Sequence, residues 1–255
     1  MITSLRTRVI PVLLLRNGSL VKTVKFKKYS YVGDPCNTAR IFNDLEVDEL
    51  CVLDIKASID KTSPNIELLK TLADECFMPL SYGGGIKTVS EARTIFNIGF
   101  EKIIINTEAF ENNSLISELA DVFGSQAIVV AIDVKRNFFG SPRAMSYSGK
   151  KNTGKDPLEW AKKVEELGAG EIIITSINNE GTWKGFDLEL TKQISEGVSI
   201  PVIAHGGAGS VKDIHKVVNY AGLSAVALGS MVVFQKKDMG VLVNFPDEKT
   251  LRSGI

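Results

Sequence analysis

The sequence contains two segments that repeat about 122 residues apart, and each ends in a glycine-rich turn. Residues 79–86 are PLSYGGGI, and residues 201–209 are PVIAHGGAG. A second pair has the same offset, with NDLEVDELCVLDI at 43–55 and EELGAGEIIITSI at 165–177. Such a repeat favours an architecture that gives both halves of the chain equivalent places.

Eight short apolar runs are spread along the chain, at 8–15, 50–55, 78–82, 102–106, 127–133, 171–177, 200–205 and 225–229. β-branched residues dominate them with little polar alternation, as is typical of parallel strands covered on both faces. Helical patterns with capping residues lie between most runs. We therefore predict a single (β/α)8 TIM barrel over residues 1–255, with half-barrels of about 1–122 and 123–255. A doubly wound open sheet is the alternative, and the repeat favours the barrel because a closed sheet has two equivalent halves.

The composition argues against several classes of function. Lysine plus arginine and aspartate plus glutamate each number 30, and this zero net charge argues against a nucleic-acid or membrane partner. No apolar run approaches the roughly 20 residues that span a bilayer. The three cysteines, Cys36, Cys51 and Cys76, lack the spacing of a metal site. We expect no metal, no cofactor and a cytoplasmic location.

The active site of such a barrel is expected where its strands end. Glycine-rich turns at this face let backbone N–H groups approach a phosphate closely, so the matched pair predicts a ligand with two phosphates or two anionic ends. Asp54 and Asp133 end apolar strands, where a carboxylate is either functional or caps the loop backbone. His205 also ends a strand beside a glycine turn, although a lone histidine is usually structural.

Several motifs occur in the order and spacing of one family: GDP at 33–35, then DELCVLDI, YGGGIKT, INTEAF, FGSQAIVVAIDVKR, SYSGKKNTG, GAGEIIITSI and HGGAGS. From Arg8 to about Phe234 the chain resembles the cyclase subunit of imidazole glycerol phosphate synthase. The resemblance implies a (β/α)8 barrel that forms a heterodimer with a HisH-type glutaminase. Ammonia from the glutaminase would pass through the barrel to a phosphorylated small molecule, a bisphosphate ribonucleotide.

The resemblance also implies roles for individual residues. It makes Asp133 a catalytic acid or base and places Lys22 on a mobile loop after the first strand. Phosphate contacts are implied for Gly84, Gly85, Asn106, Thr107, Gly181, Gly206, Gly207, Gly229 and Ser230. Four charges, Arg8, Glu49, Lys102 and Glu171, match a ring that gates ammonia at the opposite end of the barrel. A salt-bridged plug of the barrel floor is the alternative for these four.

Three positions depart from the family pattern. Leu14 stands where the family has a second catalytic aspartate, His205 replaces a serine, and Glu180 replaces an aspartate. His205 is the third catalytic candidate, beside Asp133 and Lys22. The predicted active-site face is completed by Leu14, Asp54, Thr175 and Glu180. Leucine cannot exchange a proton, so two carboxylates can no longer divide acid and base work. The pattern resembles cyclase-like proteins of bacterial surface-sugar clusters, which supply ammonia for modifying a nucleotide sugar together with a glutaminase and a ligase.

Three hypotheses follow from these departures. The first is an ammonia-channelling synthase subunit for a non-histidine product, an amidino sugar of the cell surface. The second is an ordinary histidine-pathway cyclase that tolerates Leu14. The third is a non-catalytic partner that activates a glutaminase and conducts ammonia. A stand-alone phosphosugar isomerase is a minor fourth, which the SGKKNTG motif and the four ring charges disfavour.

Overall fold

The computed structural model describes residues 7–252, so the first six and last three residues of the predicted domain lie outside the description. Its strands, in chain order, are β1 (Arg8–Arg16), β2 (Ser19–Val24), β3 (Lys27–Gly33), β4 (Leu50–Asp54), β5 (Leu80–Gly83), β6 (Lys102–Ile105), β7 (Ile128–Arg136), β8 (Pro142–Ser146), β9 (Lys151–Asn152), β10 (Glu171–Ser176), β11 (Val202–His205) and β12 (Ala225–Leu228).

Eight of these strands close into a parallel barrel, which confirms the predicted fold and excludes the open sheet. Each pairs in parallel with the next in the order β1, β4, β5, β6, β7, β10, β11 and β12, and β12 pairs with β1. The eight predicted apolar runs all fall on these strands, with ends that differ by a few residues.

Helices cover the outside of the barrel: α1 (Pro35–Asp44), α2 (Ala57–Asp60), α3 (Ile66–Asp74), α4 (Val89–Ile98), α5 (Thr107–Glu111), α6 (Ser114–Phe123), α7 (Pro157–Glu166), α8 (Leu188–Gly197), α9 (Val211–Ala221) and α10 (Glu248–Arg252). Capping follows the sequence prediction, since the carboxylates of Glu91 and Asp213 accept hydrogen bonds from the N–H groups of Thr88 (3.1 Å) and Ser210 (2.9 Å). Within residues 7–252, no helix is long and apolar enough to cross a membrane.

Two antiparallel hairpins extend the barrel at its carboxyl end, and the sequence prediction missed both. The first hairpin is β2–β3, with β2 paired to β1. The second is β8–β9, with β8 paired to β7. The SGKKNTG segment, part of a motif that carries the family resemblance, contains β9. Because the hairpins follow the first barrel strand of each half, the internal repeat includes them.

Apolar side chains pack on both sides of the barrel wall. The larger cluster lies between the barrel and the helices and includes Phe42, Leu69 and Trp160. The smaller one fills the barrel interior: Ile10, Val12, Leu14, Val21, Cys51, Ile104, Val129, Ala131, Ile173, Ile203, Ala225 and Ala227. Side chains alternate along a strand, so every second residue of each barrel strand points to the axis. Leu14 is therefore the last of three inward apolar residues on β1, after Ile10 and Val12.

Candidate active site at the barrel mouth

A cavity of about 340 Å³ opens at the carboxyl ends of the barrel strands, where the sequence predicted a site. Twelve of the predicted residues line it: Leu14, Lys22, Asp54, Gly84, Gly85, Asn106, Thr107, Asp133, Thr175, Glu180, His205 and Gly229. The predicted phosphate residues Gly181, Gly206, Gly207 and Ser230 are not among its lining residues. The fold thus gathers most of the predicted site into one space.

Gly84 and Gly85 form a turn that we call the first cradle. Both have positive φ angles, 132° and 73°, which favour glycine. A Cβ on Gly84 would lie 2.7 Å from the Cβ of Asp54, and one on Gly85 would overlap the carbonyl oxygen of Thr62. Neither N–H donates a hydrogen bond to another group in residues 7–252. The first cradle therefore presents two free backbone donors, a chemistry that suits an anion.

Asn106 lies between the first cradle and Asp133. Its amide nitrogen donates to the carbonyl of Ala131 at 2.9 Å and lies 3.4 Å from the Asp133 carboxylate. Its amide oxygen is buried and accepts no hydrogen bond from the described part of the chain. Thr107 begins α5, and its hydroxyl accepts a hydrogen bond from the N–H of Tyr147 at 3.0 Å. The polar groups of both residues thus connect β6 to the strand and hairpin that follow.

The predicted phosphate residues of the other half, Gly181, Gly206, Gly207, Gly229 and Ser230, form what we call the second cradle. The first hairpin packs against it, because a Cβ on Gly181 would overlap the Thr23 carbonyl oxygen. Gly229 lies beside Lys22, whose ammonium nitrogen would be 3.3 Å from a Cβ at that position. The two cradles therefore differ in this structure: the first opens into the cavity, and the hairpin lies over part of the second.

Asp54 fits both of its sequence interpretations. One carboxylate oxygen accepts hydrogen bonds from the N–H groups of Lys56 (2.9 Å) and Ala57 (3.0 Å), as a capping aspartate does. The same residue lines the cavity. Its cap fixes the loop against which the first cradle packs.

Where the barrel strands themselves end, polar side chains lie on the second half-barrel. Asp133, Thr175 and His205 are register neighbours on β7, β10 and β11. The Thr175 hydroxyl lies 3.2 Å from Nδ1 of His205. The equivalent positions of the first half are Leu14, Leu53 and Gly83, which are also register neighbours. At these three strand positions the first half is therefore apolar and the second half polar, although Lys22, Asp54 and other charged residues of the first half also line the cavity.

Asp133 and His205 have shifted pKa values for the same physical reason. Burial raises the pKa of Asp133 to about 7; a hydrogen bond from Thr175 opposes this rise and Glu180 adds to it. Burial also lowers the pKa of His205 to about 3, with a further contribution from Lys22. At neutral pH the imidazole is therefore uncharged, and Asp133 exchanges protons readily.

Replacing Asp133 with asparagine should stabilise the fold at high pH. Because its folded pKa is raised, the folded carboxyl keeps a proton that the unfolded chain loses above about pH 4, so stability falls as pH rises towards 7. At pH 8 we expect the free energy of unfolding of Asp133→Asn to exceed that of the parent by about 1–3 kcal/mol. This difference should vanish near pH 4. Urea unfolding at both pH values measures this. An equal effect at both would contradict the raised pKa.

Lys22 reaches from β2 of the first hairpin into the barrel mouth, and its side chain is buried. Its ammonium group donates to the main-chain carbonyl of Val12 inside the barrel. Burial lowers the pKa of Lys22 to about 8, although the nearby Glu180 carboxylate opposes this shift. The structure therefore brings Lys22 beside His205 and Gly229, at the point where the barrel interior meets the cavity.

Glu180 holds the first hairpin against the mouth. Its carboxylate accepts hydrogen bonds from the Thr23 hydroxyl (2.9 Å) and the Phe26 N–H (3.0 Å). Its main-chain oxygen accepts another from the Lys25 N–H at 3.0 Å. Burial raises the pKa of Glu180, and these hydrogen bonds lower it. The residue that departs from the family aspartate is thus the one that fixes the hairpin carrying Lys22.

Glu180→Ala should loosen the first hairpin. The exposed residues Lys25, Lys27 and Lys28 are trypsin sites that the closed hairpin protects. Losing two hydrogen bonds to a charged group, about 1.5 kcal/mol or more, should speed tryptic cleavage there about tenfold. Glu189→Ala is the matched control, because that carboxylate binds the Tyr220 hydroxyl on another helix. Equal cleavage of both variants would show that other contacts hold the hairpin.

The four charges predicted for the amino end form a closed ring. Arg8 pairs with Glu49 at 2.8 Å and also with Glu171, while Lys102 pairs with Glu49 at 3.3 Å and Glu171 at 2.7 Å. We call these four residues the charge ring. Both carboxylates are buried, with side chains 7% and 9% exposed. Each stands at or just before the start of a barrel strand, so the charge ring closes the end opposite the cavity.

Comparison with known proteins agrees with this architecture. The family described as histidine biosynthesis protein matches residues 8–238. A relative from Pseudomonas aeruginosa, "Putative imidazole glycerol phosphate synthase subunit hisF2", is 50% identical over 249 residues, 98% of this chain and 99% of its own. A "Putative imidazole glycerol phosphate synthase subunit hisF3" from Vibrio vulnificus is 47% identical over 95% of this chain and 94% of its own. "Imidazole glycerol phosphate synthase subunit HisF" from Methanococcus vannielii is 40% identical over 92% of this chain and 94% of its own.

The closed barrel, the mouth and these similarities define a (β/α)8 synthase-type protein, and the chain belongs to the histidine biosynthesis protein family. Within that family it is of the HisF type, the cyclase subunits of imidazole glycerol phosphate synthase. The resemblance found in the sequence motifs is thereby confirmed.

Sequence reasoning missed the part that the hairpins play in the cavity. Tyr147 and Ser148, from the turn after β8, line the cavity beside Phe26 of the first hairpin. The Ser148 hydroxyl donates to the carbonyl of Ile55 at 2.7 Å, across the mouth. A Cβ on Gly149 would lie 2.9 Å from the Phe26 ring, so the two hairpins touch. The available signal was the Ser-Tyr-Ser-Gly run at 146–149, whose serines and glycine are typical of a turn.

Proposed function

We propose that this chain is the ammonia-using subunit of a glutaminase-coupled synthase whose product is not imidazole glycerol phosphate. A HisH-type glutaminase would dock at the charge ring, and ammonia would pass along the barrel axis to a phosphorylated substrate at the mouth. The observation that carries this proposal is the arrangement of three parts on one axis: charge ring, apolar interior and reactive cavity.

The barrel interior suits a small neutral molecule. Between the charge ring and Lys22, apolar side chains dominate the interior, and the Cys51 thiol lies there beside the buried Ser81 on the neighbouring strand. Burial raises the pKa of that thiol to about 12, so it stays uncharged. Moving an ammonium ion through such a space without a partner is very costly, whereas neutral ammonia carries no such penalty. The charge ring would then admit ammonia and hold back ions and water.

The mouth supports a changed substrate. Phosphate would bind the free N–H groups of the first cradle, with Asp133 as the acid or base and Lys22 and His205 beside the point where ammonia emerges. The mouth has a single carboxylate at the paired strand ends, since Leu14 occupies the place equivalent to Asp133. Resemblance to the cyclase-like proteins of surface-sugar clusters favours an amidino sugar as the product.

A genuine histidine-pathway cyclase is the second candidate. The observation that favours it is the retention of Asp133, with its pKa near 7, together with the first cradle and Lys22. Under this candidate Asp133 alone suffices for the proton transfers. A non-catalytic conduit would need none of these three features.

The partnership can be tested with purified proteins. The chain alone should hydrolyse no glutamine, because His205 and His215 are its only histidines and neither forms a nucleophilic constellation with a cysteine. Mixed with its glutaminase, it should raise glutamine turnover, and amide-¹⁵N glutamine should label a phosphorylated product even when unlabelled ammonium is present in the buffer. Unchanged glutamine turnover would refute the partnership. Raised turnover with no labelled product would support the conduit instead.

A further inference from the structure

A second cavity, of about 290 Å³, lies on the far side of Asp54 from the active-site cavity. The turn between β1 and β2 forms one wall, and the segment from β4 to α3 forms the other. We call this space the side cleft. It is lined by Leu15, Asn17, Gly18, Asp54, Lys56, Ala57, Asp60, Thr62, Ser63, Asn65, Leu68, Leu69 and Tyr82. Its volume lies just below the range of about 300–1,000 Å³ that is usual for ligand pockets.

Tyr82 contributes a hydroxyl that has no hydrogen-bond partner within the described residues 7–252. The side chain is among the largest buried in the protein, with 1% of the residue exposed, and its ring packs edge-on against Phe100. No hydrogen bond described within residues 7–252 involves the Tyr82 hydroxyl, and this hydroxyl is not one of the fully enclosed polar atoms that lack a partner. Tyr82 lines the side cleft. The hydroxyl is therefore available to a molecule in the cleft.

The other polar groups of the side cleft suit neither an anion nor an apolar ligand. Lys56 is paired with Asp60 at 2.9 Å, which leaves the Asp54 carboxylate as a net negative charge. The side-chain oxygen of Asn65 accepts from the Leu68 N–H at 3.2 Å, so its amide nitrogen remains a donor. Asn17 supplies a second amide. Such mixed donors and acceptors match hydroxyl groups, each of which both donates and accepts.

We propose that the side cleft is a second binding site, for a small polyhydroxylated molecule about the size of a monosaccharide. Its hydroxyls would bond to Tyr82, the two asparagine amides and Asp54. Because Asp54 lines both cavities and Gly84 packs directly on it, a bound polyol also fixes the loop that supports the first cradle. This binding is independent of the proposed ammonia chemistry, so it can succeed or fail separately.

The test uses the purified full chain and ligand-observed NMR with myo-inositol as the probe. Saturation transfer to myo-inositol is expected for the parent protein, and inorganic phosphate should not compete with it. Tyr82→Phe removes only the hydroxyl and should weaken binding about 2- to 12-fold, the effect of losing one hydrogen bond. Tyr220→Phe is the matched control, because that hydroxyl is bonded to Glu189 on the helical surface. Its affinity should equal that of the parent.

A second variant distinguishes a loss of binding from a folding defect. Asn17 has a φ of 53°, so Asn17→Gly removes the amide while keeping a backbone that glycine adopts readily. It should also weaken binding, and both variants should keep the parent melting temperature, Tyr82→Phe because its hydroxyl has no partner to lose within residues 7–252. Absent transfer to myo-inositol, or equal binding by parent and Tyr82→Phe, would show that the cleft holds water only. Transfer to methylamine in place of myo-inositol would show an amine site and overturn the polyol assignment.

Discussion

With a matched glutaminase, this chain should turn over the bisphosphate ribonucleotide of imidazole glycerol phosphate synthase about 10²- to 10⁴-fold more slowly than a HisF subunit that has both carboxylates. That range is the usual contribution of one general acid or base. The register of the barrel makes Leu14 equivalent to Asp133, since Leu14 neighbours Leu53 as Asp133 neighbours Thr175. Steady-state rates measure turnover, and calorimetry should still detect binding because the first cradle is intact.

Leu14→Asp is the direct test of this explanation. It should restore part of the rate but not all of it, because His205 and Glu180 also differ from the family pattern. Leu14→Asn is the matched control, since it has nearly the same shape as aspartate and cannot exchange a proton. Equal rates for the two variants would show that polarity, and not proton transfer, is what the mouth lacks. A parent rate close to that of other HisF subunits would refute the role assigned to Leu14.

Lys102→Glu should have the second large effect, on both stability and coupling. The substitution places a third carboxylate beside Glu49 and Glu171, which are buried and otherwise neutralised by Arg8 and Lys102. Breaking such a buried ion pair costs about 3 kcal/mol. We expect a lower midpoint of urea unfolding and weaker activation of the glutaminase, or release of ammonia to solvent.

The control for this variant is Lys162→Glu, which reverses a charge in an exposed pair with Glu159 at 3.7 Å. It should change neither quantity appreciably. A loss of stability in Lys102→Glu with normal activation and no ammonia leak would show that the charge ring is a structural plug. Unchanged stability and unchanged coupling would show that the charge ring neither stabilises the fold nor controls the passage of ammonia.

The barrel was predictable because its signals are local and repeated. Runs such as 102–106 and 171–177 are rich in β-branched residues, and helix starts such as Thr88 carry their caps within three residues. The internal repeat then favoured a closed barrel over an open sheet. None of these inferences required knowledge of contacts between distant parts of the chain.

The first hairpin was missed although a local signal existed. Asn17-Gly18 separates two apolar runs, and asparagine–glycine is the strongest short hairpin signal because both residues take positive φ readily. In the structure their φ angles are 53° and 77°. The resemblance instead placed Lys22 on a mobile loop after the first strand, whereas the structure has it on β2. The consequence was that the buried position of its ammonium group could not be inferred.

The remaining features of the site depend on long-range contacts. Thr23 and Glu180 are 157 residues apart in the chain, yet their side chains are bonded. The pKa values of Asp133 and His205 are shifted by burial, and the burial of a side chain cannot be read from the sequence around it. Likewise Asp54 could be named as cap or site residue, but its position between two cavities follows only from the packing of the β4 loop.

The central claim is that the mouth no longer serves histidine synthesis, and growth measures it most directly. A bacterial histidine auxotroph lacking its own cyclase subunit would receive this chain and a matched glutaminase, with an ordinary HisF subunit as the positive control. The account predicts no growth without histidine for the parent chain, and slow growth at best for Leu14→Asp. Robust growth with Leu14 in place would contradict it, because Asp133 would then suffice and the chain would be a histidine-pathway cyclase.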